Sequence, residues 1–371
     1  MPVSIIGNSG IQFPDNSLQT AAASPFGLKN RLINADMRID QRNAGASVTP
    51  TASAYVLDRY RATMSQASKY SVQQSSTAPS GFVNSLLVTS ASAYSLSSTD
   101  QFTVEQYVEG LNIADLGWGT ASAQTVTLSF WVRSSLTGTF GGALKNSAQD
   151  RCYPYSYTIN SANTWEQKTV TIAGDTTGTW LTTNGIGIRV GFNLGTGATY
   201  QATAGAWTGT SFISAPTGAT SVVSTNGATF YITGVQLEIG STATPFERRL
   251  YNQELANCQR YYYRFNPAGS GSNTLGSGFA DSTTATQIIH FFPVPMRTNP
   301  TSLEQSGTAG NYAVRYTGAS VAVCNSVPTL SDANTTNSSI NLTVSSGLTG
   351  GQAVAGRAVN TSAWLAWSAE L

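Results

Sequence analysis

Apolar and polar residues alternate with a period of two along most of this chain. In "TVTLSFWVRS", Val126, Leu128, Phe130 and Val132 share one face, while Thr127, Ser129, Trp131 and Arg133 share the other. In "GIGIRVGFNLG", Ile186, Ile188, Val190, Phe192 and Leu194 oppose Gly187, Arg189, Gly191 and Asn193. "WEQKTVTIAG" and "TFYITGVQLEIG" repeat the pattern, and "AYVLDRYRATM" and "RCYPYSYTI" are shorter versions. Alternation of this kind is the mark of half-buried strands. Spacers rich in Gly, Ser, Thr, Asn and Asp separate them, so residues 27–246 predict about eight or nine strands in an antiparallel sandwich or jelly roll. "FTVEQYVEGLNIADLGWG" fits either a strand or a short helical turn before Gly117.

The period changes after Pro245, a residue that cannot donate to a sheet ladder. In "ERRLYNQELANCQRYYYR", Leu250, Leu255, Cys258 and Tyr262 fall at or near helical spacing, which predicts a connecting helix of roughly three turns within 247–264. Strand patterns then resume in "ATQIIHFFPVPM", "NYAVRYTG", "SVAVCNS", "SSINLTVSS" and "AWLAWSAEL". Residues 265–371 therefore predict a second β-sandwich domain. Residues 1–26 hold few large apolar groups and predict a docking segment that orders only against a partner. The expected fold class is all-β, with the helix between two β domains.

Composition narrows the function. Only 10% of residues are charged, against about 25% in an average domain. Yet 40% are hydrophobic, which allows a real core. A surface built from Ser, Thr, Asn, Gln and Gly responds little to salt and offers few trypsin sites. A net charge of +1 without a basic stripe argues against a nucleic-acid partner. No apolar run is long enough to insert in a membrane. The first residues have neither a basic nor an apolar leader region, so a secretory signal is not expected. Cys152, Cys258 and Cys324 are an odd, widely spaced set and are expected to be reduced. The chain reads as one that folds in a cytosol and works outside it.

Catalytic patterns are missing. The one histidine, His290, sits in "QIIHFFPVP" without a nucleophile elbow, and edge-of-core packing is its expected role. Asp36/Asp40 and Glu105/Glu109 are the nearest carboxylate pairs, as glycoside hydrolysis would need, but structural roles are expected for both. No cofactor and no metal is expected. Aromatic residues carry more information, since their faces stack on sugar rings. Trp118, Trp131, Trp165, Trp180 and Trp207 lie in or beside the first sandwich. Trp180 and Trp207, in the Gly-rich stretches "GTW" and "GAW", are the candidate carbohydrate-binding residues.

Several phrases resemble one family. "NRLINADMRIDQRNAG", "SAYVLDRYRATM", "VEGLNIADLGWGTASAQTVTLSFWVRSSLTGTF", "NTWEQKTVTIAGDTTGTW", "TFYITGVQLEIGSTATPFERRLYNQELANCQRYY" and "WSAEL", in this order, resemble tail-fibre and related appendage proteins of bacteriophages. The lead "GIQFPDNSLQTAAA" is similar to attachment segments of such fibres. The resemblance covers about residues 5–263 and the last few. It implies a carbohydrate-binding-module-like jelly roll, a homotrimer, and display on a virion. Phage tail or capsid proteins would hold residues 1–26, and host surface polysaccharide would be the ligand. On that reading Leu250, Leu255, Cys258 and Tyr262 form a threefold seam, with Arg and Glu pairing between chains; the alternative is a helix that simply caps one sandwich edge. The jelly rolls of that family sometimes hold calcium, for which Asp58 and Glu238 are candidates. A non-enzymatic tail-fibre subunit is the expected function. A head fibre with the same modules, or a glycan depolymerase, are the alternatives.

Overall fold

A computed structural model describes residues 29–267, 273–318 and 320–371, together with the backbone of three short strands, Ser4–Ile5, Ile11–Gln12 and Leu18–Gln19. Those three pair antiparallel in sequence order. The rest of the expected docking segment, residues 1–26, lies outside the described residues.

Eleven strands then form two facing antiparallel sheets. They are β1 (Ala54–Leu57), β2 (Tyr60–Met64), β3 (Tyr70–Ser75), β4 (Ser85–Ser90), β5 (Gln101–Glu109) and β6 (Val126–Ser134). β7 (Gly138–Lys145), β8 (Cys152–Ile159), β9 (Glu166–Ile172), β10 (Ile186–Thr196) and β11 (Thr229–Ile239) complete the set. A six-stranded sheet runs β8-β7-β10-β5-β2-β1, and a five-stranded sheet runs β9-β6-β11-β4-β3. Both orders mix strands distant in sequence, so the sheets are wound together and not laid down as successive hairpins. The alternation explains the layering: Val126, Leu128, Phe130 and Val132 of β6 are fully buried against Phe102, Val104, Val190 and Phe192 of the facing sheet. The ambiguous stretch after Phe102 is both things expected of it. β5 ends at Glu109, and two 3₁₀ turns, Gly110–Asn112 and Ala114–Leu116, follow.

The helix is α1 (Tyr251–Gln259), shorter than the periodicity suggested. Leu250 is its N-cap, in extended backbone, and Tyr262 already belongs to the next strand. Cys258 and Tyr261 pack on Ile33 and Ile39, with Leu255 half-buried beside them. The helix charges act within the chain. Arg249 donates to Leu32 O at 3.0 Å and pairs with Glu254, while Arg260 makes a two-point bond to Glu109 at the end of β5.

The second domain contains β12 (Tyr262–Phe265), β13 (Thr274–Ala280), β14 (Ala285–Phe291), β15 (Glu304–Gln305) and β16 (Tyr312–Arg315). β17 (Val321–Val323), β18 (Thr329–Ala333), β19 (Asn337–Thr343), β20 (Ala353–Ala358) and β21 (Leu365–Ser368) follow. A seven-stranded sheet, β17-β16-β20-β13-β14-β19-β18, faces a three-stranded one, β12-β21-β15. The chain is thus all-β, two antiparallel sandwiches joined through one helix. Trp367 of β21 lies at the centre of the second core, stacked on Tyr263 at 5.7 Å and on His290 at 4.7 Å.

The two domains are tied by the end of the chain. Glu370 accepts from Arg42 and Arg59, and Arg59 is itself 1% exposed with its guanidinium 3.5 Å over the Tyr261 ring. Arg59 stands at a left-handed φ of 69° in the turn between β1 and β2. Arg297 donates to Ala369 O and Glu370 O, each at 2.7 Å.

Two buried groups give opposite pH responses. Burial pushes the Asp58 carboxyl up to about 7, with Arg42 and Gln41 opposing only in part. Its stabilising contribution is therefore full below the ordinary value and lost as pH rises through about 7. Burial lowers His290, whose Nδ1–H donates to Leu275 O while Nε2 has no partner. That contribution is full above the ordinary 6.5 and lost as pH falls. Below about pH 6.5 the two slopes oppose each other, and above it only the Asp58 loss remains, so urea midpoints are expected to fall between about pH 6.5 and 7. His290→Phe should remove the opposing rise, so that the variant gains on the wild type as pH is lowered, and an unchanged acid slope would refute this account.

Candidate functional site

Trp118, Trp180 and Trp207 come together, with ring centroids 4.7, 5.4 and 5.3 Å apart, each pair edge to face. Their indole N–H groups all donate to backbone carbonyls, of Gln124, Thr177 and Ala173. Trp180 is 7% exposed and belongs to the sandwich core, and Trp207 is half-buried against Tyr153. The rings cover one another's faces. The three indoles close over the sandwich end, so Trp180 is enclosed while Trp207 keeps only part of its ring exposed.

A second group of partly exposed aromatic rings lies on the outer face of the five-stranded sheet. Trp131 of β6 has Gln167 of β9 on one side and Thr233 of β11 on the other. One row along, Arg133 faces Tyr231, which faces Leu87 of β4. Trp165 precedes β9 in that row, edge-on to Tyr231 at 5.9 Å. Arg133 lies 5.1 Å over the Tyr231 ring and is held there by an Nε bond to Asn163 O at 2.9 Å. Gly234 extends the surface. It takes φ 59°, and a Cβ there would meet the Phe82 ring at 2.6 Å and Trp131 at 3.3 Å. Without one, Phe82 joins the band, with Phe246 at 5.2 Å and Arg248 at 4.8 Å over its face.

Trp131, Trp165, Tyr231, Phe82 and Phe246 are all partly exposed. Apolar ring faces beside guanidinium and amide groups suit a flat ligand carrying hydroxyl groups. The signal was present in the alternation, which already put Trp131 on the outward face with Arg133. Tyr231 and Phe82 had no such flag.

Other expected site residues are spent on structure. Cys258 and Tyr262 are buried within the chain, Leu255 is half-buried, and only Leu250 is widely exposed, at 74%. The four do not form one outward stripe, because the helix neither starts at Leu250 nor reaches Tyr262. Asp36 pairs with Arg38, and Asp40 accepts from Asn43 N and Gly45 N. Glu105 pairs with Lys145, and Glu109 with Arg260 and Tyr261. Asp58 accepts both nitrogens of Gln41, and Glu238 accepts from Thr244 and Gln236. Among the described residues, no group of three or more His, Cys, Asp and Glu side chains could hold a metal ion. The three cysteines are buried and free. Among the described residues, no helix is long and apolar enough to cross a membrane.

No family model matches the chain, and no curated protein matches its sequence. Among solved structures, the chain is similar to the enzymatically active domain of bacteriophage CBA120 tailspike protein 4, at 11% identity and TM-score 0.31, over 57% of this chain and 21% of that one. It is also similar to TmCBM61 in complex with β-1,4-galactotriose, at 11% identity and TM-score 0.30, over 57% and 99% of the two chains. A family 11 carbohydrate-binding module from Clostridium thermocellum, with a mixed-linked tetrasaccharide, gives 12% identity and TM-score 0.28, over 50% and 91%. This chain spans about a fifth of the tailspike chain's length. TM-scores this low assign it neither an activity nor a ligand.

Proposed function

We propose that this chain is a non-enzymatic, glycan-binding subunit of a bacteriophage appendage, a tail fibre, carried on the virion as a homotrimer. The observation that supports binding is the band of Trp131, Trp165 and Tyr231 on the outer face of the five-stranded sheet, with Arg133 and Gln167 between the rings. Ring faces take the C–H faces of a sugar, and the neighbouring amide and guanidinium donors take its hydroxyls. The ordered phrases shared with phage appendage proteins support the virion setting, with residues 1–26 as the part that joins the particle and host surface polysaccharide as the ligand. Each single contact is weak, and three copies on one particle would raise avidity by about 10²–10⁴ where geometry permits.

Binding of the purified chain to host surface polysaccharide tests this reading. Trp131→Ala is expected to weaken binding by about 2 kcal/mol, near thirtyfold, as loss of a central aromatic anchor does. Trp180→Ala should instead lower stability. Light scattering should give three times the monomer mass. A monomer at micromolar concentration, or full binding by Trp131→Ala, would reject the corresponding half of the proposal.

A further inference from the structure

The opposite face of the same sandwich carries a different chemistry. Its six-stranded sheet sets Arg61 of β2 beside Glu105 of β5, and Tyr107 of β5 beside Arg189 of β10. Lys145 of β7 stands on the far side of Arg189. Glu105 and Lys145 form a buried pair at 2.9 Å, each side chain 2% exposed, so that this carboxylate is already answered. Lys145 is further held by Ser214 Oγ at 3.1 Å, from the connection that folds over the sheet. Tyr107 is almost fully buried and forms the floor. The Arg189 guanidinium lies 4.4 Å from its ring centroid, and that of Arg61 lies 5.8 Å away.

Both arginines are partly exposed, and neither has a carboxylate within the 4.0 Å of an ion pair among the described residues. What they do touch is neutral. Arg61 donates to Thr63 Oγ1 at 3.0 Å and to Tyr107 OH at 3.2 Å, and Arg189 donates to Ser147 O at 3.3 Å. Arg189 Nε is buried without a partner. Tyr55 edges Tyr107 at 6.4 Å and gives its hydroxyl to Leu371 O, which marks one border of the site. Only 10% of the chain is charged. Two guanidinium groups gathered around one aromatic floor, with Glu105 the acid beside them and already paired to Lys145, leave an excess of positive charge. An anion would answer it through charge-assisted, two-point hydrogen bonds, which Arg makes better than any other side chain.

We propose that Arg61 and Arg189 form a site for an anionic group carried on a saccharide, a carboxylate or a phosphate, separate from the aromatic band on the other face. Two sites on opposite faces let one subunit hold two strands, or two stretches, of an acidic polysaccharide.

The test is titration of the full chain with trigalacturonate, with galactotriose as the neutral counterpart and galactose 6-phosphate as the phosphate source. Binding of either acidic probe is expected, weakening as salt is raised. Arg61→Gln and Arg189→Gln should each reduce it by roughly tenfold, with the thermal midpoint close to wild type. The ratio of the two acidic probes tells which anion is preferred. Trp131→Ala should weaken galactotriose binding but keep the salt-sensitive preference for the acidic probes, so failure of the aromatic platform and failure of this site are read separately. Wild-type chain that binds neither acidic probe at millimolar concentration would overturn the proposal. So would binding that both arginine variants retain in full.

Discussion

Glu370→Ala should cost the protein about 3–5 kcal/mol, the loss expected when one partner of a buried ion pair is removed. Glu370 answers two guanidinium groups, Arg42 and Arg59, whose side chains are 11% and 1% exposed. Arg59 cannot swing out to water. Its other nitrogen is bonded to Tyr107 O, and its plane lies against the Tyr261 ring. With Glu370 removed, that cation keeps one carbonyl and one ring in a place water does not reach. The effect should appear as a shift in urea midpoint with little change in slope. Arg59→Met together with Glu370→Met should recover most of the loss, because well-packed apolar groups of similar volume often match a buried pair. A loss below about 1 kcal/mol for Glu370→Ala would show that Arg59 is solvated after all.

Lys145→Met should be as damaging at neutral pH. Burial pushes the Glu105 carboxyl up, but the Lys145 charge, its hydrogen bond and Arg189 outweigh this and hold it below the ordinary carboxylate range. In the wild type, this contribution is full above the ordinary value and lost as pH falls through the lowered one. Without Lys145 the balance reverses. Glu105 then prefers its proton in the folded state, so the penalty should shrink as pH is lowered toward about 5. Glu105→Gln/Lys145→Met should stand well above the single variant, and the cycle of four proteins measures the coupling. Equal stability of single and double variants would mean that the pair contributes nothing.

Much of the fold is legible in the period-two pattern because burial on one sheet face is a local property. Val126 to Val132 show it: their alternation predicts which side is inside, and they are inside. β10 shows the limit. Its outward residues were expected to meet solvent, yet from Val190 to Thr196 every position is buried. The segment after it returns to pair Gln201–Ala202 with Ala215–Pro216 and to place Ser214 over Lys145, and nothing in the spacing of β10 announces that cover. The helix was misjudged for a similar reason. Tyr262 continues the apolar spacing, but it is claimed by a strand partner, Ser368, more than a hundred residues away. Trp180 and Trp207 were read from their glycine neighbours, and nothing in that spacing announced that a third indole, Trp118, packs on both at the same end of the sandwich. The arginine pair lay in plain view as the polar half of two alternating strands. That they share one tyrosine is a matter of sheet order, which alternation does not encode.

Arg59 and Glu370 are separated by 311 positions. At about 5–20 residues per second, a ribosome needs roughly 15–60 s to deliver the carboxylate after the guanidinium. For that interval the hairpin around Arg59 lacks its counter-charge, and β12 has no β21 to pair with. The first sandwich can collapse during synthesis, but the edge bearing β1 and β2 closes only when the second domain has been made. Nascent chains halted before Glu370 should therefore be sensitive to protease at residues 54–64 while the β6–β11 centre is already protected.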